Sequence, residues 1–276
     1  MKQQFILVEK LKNHLFRFFC ILFLFIHITN CDNSEDSSKS ADVAIYSDNG
    51  TWDESVKASE NMFKWMGYTV AKVDANDINT LETDNFSILC IPGGDMYEYA
   101  QDISQKGKNK IRDFLIDGGG YIGICGGAYF ASEKVIWKGD QLSMTPLGIF
   151  KGTASGPNDE IVPYPDFDVC RMNIVDHNHS ITLSEPDSVW MLYYWGPILV
   201  PNNDTEVTVL GRYNSGNQPS MIALNYGLGR VFLIGTHPEI EEDNNRDGVT
   251  FADELDDQGS DWDLMKKAVV WCLNDS

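Results

Sequence analysis

Three stretches hold residues able to do chemistry. The first, Asp117 to Ser132, reads DGGGYIGICGGAYFAS. An apolar strand, Tyr121 to Ile124, runs into Cys125, and Gly126 and Gly127 lead into a small-residue segment suited to starting a helix. A strand, a sharp turn and a helix with a thiol at the corner push that side chain out above the sheet edge. The backbone is tight there, so the neighbours must be small, as Gly123, Gly126 and Gly127 are. The dipole and free N–H groups of the following helix favour thiolate over thiol. The alternative is an inert cysteine buried at a glycine turn.

A thiolate nucleophile needs a base and a group that orients the base. The second stretch, Val231 to Glu239, reads VFLIGTHPE and delivers His237 and Glu239 at the end of another apolar strand. Pro238 stiffens the link, and Glu239 can reach back to fix the imidazole tautomer. The third stretch, Ile91-Pro92-Gly93-Gly94-Asp95, closes a further apolar strand. A lone strand-end histidine is usually an ordinary loop residue. Two strand ends carrying Cys and His-x-Glu in one chain point instead to a Cys125–His237–Glu239 triad.

These residues resemble a known family. Gly123-Ile124-Cys125-Gly126-Gly127-Ala128-Tyr129, His237-Pro238-Glu239 and Ile91 to Asp95 together look like the class I glutamine amidotransferase-like proteins. The match is nearest to the subfamily similar to the N-terminal domain of certain biotin–protein ligases, and runs from about Val43 to Leu273. The resemblance implies a flavodoxin-like sheet, the Cys-His-Glu triad, and an oxyanion hole from the N–H groups of Gly93, Gly94 and Gly126. In glutaminases of this class a glutamine four residues after the cysteine helps to hold the substrate; Tyr129 stands there in this chain. The resemblance therefore carries over the triad but not glutamine as substrate. It implies no ligase activity, because no ligase catalytic segment follows in this sequence.

The elements that must position these groups alternate in type. Strands read at 42–47, 68–73, 86–92 and 121–124, and helices at 53–66 and 107–116, with apolar residues at helical spacing such as Val56, Met62, Phe63 and Met66. Alternation implies an α/β fold with a flavodoxin-like, doubly wound, mostly parallel sheet covered on both faces. Ligands bind such sheets at the carboxyl ends of the strands, where Gly93, Cys125 and His237 all fall. Residues 136–200, rich in Pro, Gly, Trp and Tyr, read as an added β-rich segment of hairpins beside the cleft. Within it, Trp190 to Pro197 (WMLYYWGP) reads as a core strand or as an aromatic pocket wall. Asp176-His-Asn-His179 lacks an evident third metal ligand and reads as a polar turn. Strands at 207–211, 220–224 and 230–235 and a helix at 262–273 complete the domain, with 225–229 as a hairpin turn.

The 276 residues are 43% hydrophobic, enough for one domain over 42–276 with a full core. The net charge of −20 argues against nucleic acid as a partner. At the N-terminus, basic residues precede the apolar run Phe18 to Ile28, which is too short to span a bilayer comfortably and suits a signal peptide over 1–30. Ile28-Thr-Asn-Cys31 resembles a lipobox, with Asn30 where a smaller residue is usual, so Cys31 is the expected lipidation site. Residues 31–41, acidic and serine-rich, read as a tether. The alternatives are an ordinary cleaved signal, hence secretion, and an uncleaved anchor. All three place the domain outside the cytoplasm, the first at the cell membrane. Cys90, Cys125, Cys170 and Cys272 remain in the domain; Cys90 and Cys272 lie on apolar faces and read as buried thiols.

One more motif follows the histidine. Asp243, Asn245, Asp247, Gly248 and Glu254 match the spacing of a calcium loop. Against an EF-hand stand Thr250 at the position that is usually aliphatic, and a preceding strand end in place of an entering helix. The alternative is a solvated acidic loop. The triad itself requires no cofactor, and Ca2+ is the one ion the motif would take. The expected activity is hydrolysis of a C–N bond in a small-molecule or peptide amide. The alternative is a binding module that keeps the fold without turnover, and the sequence carries no signal of oligomeric state.

Overall fold

The computed structural model describes residues 41–80, 85–240 and 246–273. The chain starts with the strand β1 (Val43–Tyr46), the helix α1 (Asp53–Trp65), β2 (Val70–Val73), α2 (Ala75–Thr80) and β3 (Ile88–Ile91). It continues with α3 (Met96–Asp102), α4 (Gln105–Ile116), β4 (Gly120–Ile124) and the short α5 (Gly126–Ala131). The β-rich part holds β5 (Ser132–Trp137), β6 (Asp140–Gln141), β7 (Phe150–Gly156), β8 (Asp168–Ile174), β9 (Ser188–Tyr193) and β10 (Ile198–Pro201). The last elements are β11 (Thr208–Tyr213), β12 (Pro219–Tyr226), β13 (Gly229–Ile234) and α6 (Trp262–Cys272).

Nine strands form one sheet in the order β2-β1-β3-β4-β13-β12-β11-β8-β9. From β2 to β13 all neighbours are parallel, the 2-1-3-4 order of a flavodoxin-like doubly wound sheet. From β13 outward every pairing is antiparallel. The segment expected to form hairpins therefore does two things. β8 and β9 lengthen the main sheet, while β10-β7-β5-β6 build a second, four-stranded sheet.

The central strands are buried on both faces, and alternate side chains divide between two cores. Ala44, Tyr46, Leu89, Ile91, Tyr121 and Leu233 meet Tyr99 of α3, Phe114 and Leu115 of α4 and Phe130 of α5. Val43, Ile45, Ile88, Ile122, Phe232 and Ile234 meet Val56, Met62 and Phe63 of α1 and Trp262, Met265 and Val269 of α6. The helix expected at 107–116 begins earlier, because Ser104 caps it by accepting from the Gly107 N–H. Helix α3 was not expected; Asp95 caps it through the Tyr97 N–H at 2.8 Å. Cys90, Cys125, Cys170 and Cys272 are all buried free thiols.

Register is what positions the site. Gly123 of β4 pairs with Ile91 on one side and Leu233 on the other. Three parallel strands in step thus release Pro92-Gly93-Gly94, Cys125 and Gly235-Thr236-His237 at one sheet edge.

Candidate active site

Cys125 sits at the corner between β4 and α5 with φ 45° and ψ −101°. A non-glycine residue in that region stores strain, and here three hydrogen bonds hold it. The Cys125 N–H donates to Ile234 O at 2.9 Å, and the Cys125 carbonyl accepts from the Ala128 and Tyr129 N–H groups at 3.0 Å. The sulfur lies 3.5 Å from the Tyr194 carbonyl oxygen. It is 6% exposed and lines a cavity of about 530 Å³ that His237, Gly94, Asp95, Tyr129 and Tyr194 also line.

His237 is held from every side. Its N–H donates to Leu192 O at 2.9 Å, and its ring packs edge-on to Trp52 with centroids 5.1 Å apart. Nδ1 lies 2.8 Å from Glu239 Oε1, and both side chains are buried. Nε2 is buried without a hydrogen bond of ordinary geometry among the described residues. Burial alone would lower the proton affinity of the ring. The charges of the Cys125 sulfur and of the Glu239 carboxylate, with the hydrogen bond to Glu239, outweigh it and raise the pKa to about 10. The sulfur and the ring line the same cavity, and the carboxylate fixes Nδ1 of that ring.

Sequence reasoning missed Ser55. It lies on the buried side of α1, and its hydroxyl donates to Glu239 Oε1 at 2.6 Å. The Ser55 Oγ in turn accepts the Gly93 N–H at 2.9 Å. One hydrogen-bonded chain therefore runs from Gly93 through Ser55 and Glu239 to His237. The available signal was modest: Ser55 and Ser59 fall on the same helix face as Val56, Met62 and Phe63, where a polar group needs a buried partner.

This corrects the expected oxyanion hole. The Gly93 N–H is engaged by Ser55 and does not point a free donor at the cavity. Gly94 and Gly126 remain. Neither N–H donates to another group among the described residues. Gly94 has φ 148°, and a Cβ there would lie 2.2 Å from the Tyr99 hydroxyl oxygen. A Cβ on Gly126 would lie 2.3 Å from Gly94 O and 2.7 Å from Gly94 N, so the two residues pack backbone to backbone. N–H groups without another partner next to a nucleophile can serve a developing oxyanion.

Tyr129, at the position where glutaminases carry glutamine, is buried, and its hydroxyl donates to Trp195 O at 2.9 Å. The aromatic run divides: Trp190 to Tyr193 belongs to β9, whereas Tyr194 and Trp195 turn into the cavity wall, Trp195 with φ 62°. His177 lies 3.6 Å from Asp187 and His179 packs on Trp271, as suits a polar turn.

Of the calcium motif, Asp243 and Asn245 lie outside the described residues, as does Cys31. Asp247 is buried, and its carboxylate accepts the Val249 N–H at 3.1 Å. Glu254 is exposed. No helix among the described residues is long and apolar enough to cross a membrane.

Comparison with known proteins bears on the family and the fold. A biotin–protein ligase of Schizosaccharomyces pombe is 29% identical over 185 residues, 61% of this chain and 28% of that protein. An uncharacterized protein of Chlamydia muridarum is 29% identical over 163 residues, 55% of this chain and 60% of that one. The chain thus spans less than two thirds of either relative. Among solved structures, a glutamine amidotransferase from Thermotoga maritima aligns with a TM-score of 0.55 at 13% identity, covering 85% of this chain and 99% of that one. A ThuA-like protein from Parabacteroides merdae aligns with a TM-score of 0.54 at 12% identity, covering 86% and 91%. These likenesses show the fold, that of the class I glutamine amidotransferases. Residues 41–267 match the family described as biotin-protein ligase, N terminal, and the chain belongs to that family.

Proposed function

We propose that the protein is a cysteine-dependent amide hydrolase acting outside the cytoplasm, held at a membrane by a lipid on Cys31. One observation carries the chemistry. The buried Glu239–His237 pair at 2.8 Å leaves Nε2 without an ordinary partner beside Cys125, in a cavity large enough for a small molecule. The lipid anchor rests on the residues around Cys31 alone.

The steps follow from the positions. The Cys125 sulfur attacks the carbonyl carbon of the amide. A C–S bond forms, and the carbonyl π pair moves to oxygen. The Gly94 and Gly126 N–H groups donate to that oxyanion. The intermediate collapses, the C–N bond breaks, and Nε2–H protonates the departing nitrogen. Water then enters, gives a proton to Nε2 and attacks the thioester carbon. The C–S bond breaks with its electron pair on sulfur, Nε2 keeps the proton so that the starting state is restored, and a carboxylic acid leaves. Glu239 keeps Nδ1–H pointed at itself throughout, and Ser55 holds Glu239.

The test is a panel of primary and secondary amides with the native chain and Cys125→Ala. Release of ammonia or amine by the native chain alone, with an acyl adduct on Cys125 seen by intact mass, is expected. No release and no adduct from any amide would favour a binding module on the same fold.

A further inference from the structure

Of the seven Trp and Tyr side chains that line the cavity, all but Tyr97 run in unbroken succession. Trp52 meets Tyr194 at 5.1 Å between ring centroids, Tyr194 meets Trp195 at 4.2 Å, and Trp195 meets Tyr164 at 4.7 Å. Tyr164 meets Trp137 at 6.1 Å, and Trp137 meets Tyr129 at 5.8 Å. Both ends of this belt lie at the reacting groups. Trp52 packs against His237, and Tyr129 stands one helical turn beyond Cys125. All six rings face the same cavity of about 530 Å³.

The charges there are as informative. None of the described residues lining the cavity is lysine or arginine, and Asp95 adds a carboxylate. Free glutamine would bring its own carboxylate close to the scissile bond, beside Asp95 and with no lysine or arginine in the lining to receive it, while the His237 ring is already paired with Glu239; that is costly in a partly desolvated site. Tyr129 also occupies the place of the residue that holds glutamine in related enzymes, and the Trp195 carbonyl fixes it there. The Lys138 ammonium sits 3.3 Å from the centre of the Tyr164 ring, so that ring's face already holds a cation and is not open to a second. Flat apolar surface is what the belt offers, and rings stacked or set edge-on are what it receives.

We infer that the site takes an uncharged amide carrying an aromatic or other apolar ring within a few bonds of the scissile carbonyl. This rests on the hydrolase reading for the position of the carbonyl, but the ring-binding claim can be tested without turnover. The probes are phenylacetamide, acetamide and L-glutamine, titrated against Cys125→Ala by tryptophan fluorescence and by calorimetry. Phenylacetamide is expected to bind at least about tenfold more tightly than either of the others. Placing Trp137→Leu in the same background is expected to reduce phenylacetamide affinity several-fold while leaving acetamide unchanged. Equal affinities for phenylacetamide and acetamide, or tighter binding of L-glutamine, would overturn the inference. Ring binding as expected, with no cleavage by the native chain, would leave it standing and remove the hydrolase reading instead.

Discussion

The Ser55 hydroxyl donates to Glu239 Oε1 at 2.6 Å across a separation of 184 residues, and it joins the two halves of the site. On one side it anchors the carboxylate that orients His237. On the other it accepts the Gly93 N–H, which sets the loop whose next residue, Gly94, offers a free amide. Ser55→Ala leaves the buried Gly93 N–H unsatisfied and Glu239 Oε1 with His237 alone, at a cost of about 1–3 kcal/mol. The account predicts a lower melting temperature and a fall of about tenfold or more in kcat/KM. It also predicts a displaced alkaline limb in the pH–rate profile, because Glu239 then holds His237 less firmly. Ser55→Thr, which keeps the hydroxyl, should recover most of the activity. A merely structural role would lower stability without moving the pH profile.

His237 should remain protonated far above the ordinary histidine range. Burial opposes this, and the Cys125 sulfur and the Glu239 carboxylate together prevail, giving a pKa of about 10 against 6.5 for the free side chain. A pKa raised in the folded chain stabilises the fold fully below pH 6.5, and the contribution is lost as pH rises through about 10. The stability difference between the native chain and His237→Gln, measured by urea unfolding, should therefore narrow from pH 6.5 towards 10. In Cys125→Ala, the NMR titration midpoint of His237 should fall.

Gly126→Ala should separate chemistry from reactivity. The added Cβ would lie 2.3 Å from Gly94 O and 2.7 Å from Gly94 N, so the two residues must part. Loss of an oxyanion donor costs on the order of 100-fold in kcat. Alkylation of Cys125, which needs no oxyanion hole, should fall much less. Parallel losses in both assays would contradict the assignment of Gly94 and Gly126.

The anchor is tested on the whole chain in a cell with a lipoprotein pathway. Cys31→Ser should move the protein from the membrane fraction to the soluble one and abolish incorporation of labelled palmitate. Unchanged membrane association with no label in the native chain would remove the lipid.

Much of this arrangement was legible locally. An apolar strand closing on Cys-Gly-Gly, another on His-Pro-Glu and a third on Pro-Gly-Gly fixed the parallel core, because strand ends in such sheets share an edge. The parts not legible depend on contacts between distant segments. Ser55 reads as an unremarked helix position until α1 packs against the strand edge. Gly93 and Gly94 look equivalent in sequence; only the reach of Ser55 decides which amide stays free. Trp190 to Pro197 reads as one aromatic stretch, and the turn at Tyr194 and Trp195, with φ 62° at Trp195, divides it between core and cavity. The antiparallel half of the sheet was obscured because 136–200 feeds two sheets, and hydrophobic alternation does not say which strand a segment pairs with.

The most direct measurement is the rate at which iodoacetamide alkylates Cys125 near neutral pH, followed by peptide mass, in the native chain and in His237→Ala. If the imidazole serves the sulfur, labelling is faster than that of a free cysteine and drops at least about tenfold when His237 is removed. A rate no greater than a free thiol's and indifferent to His237→Ala would mean that the two side chains share a cavity without sharing a reaction.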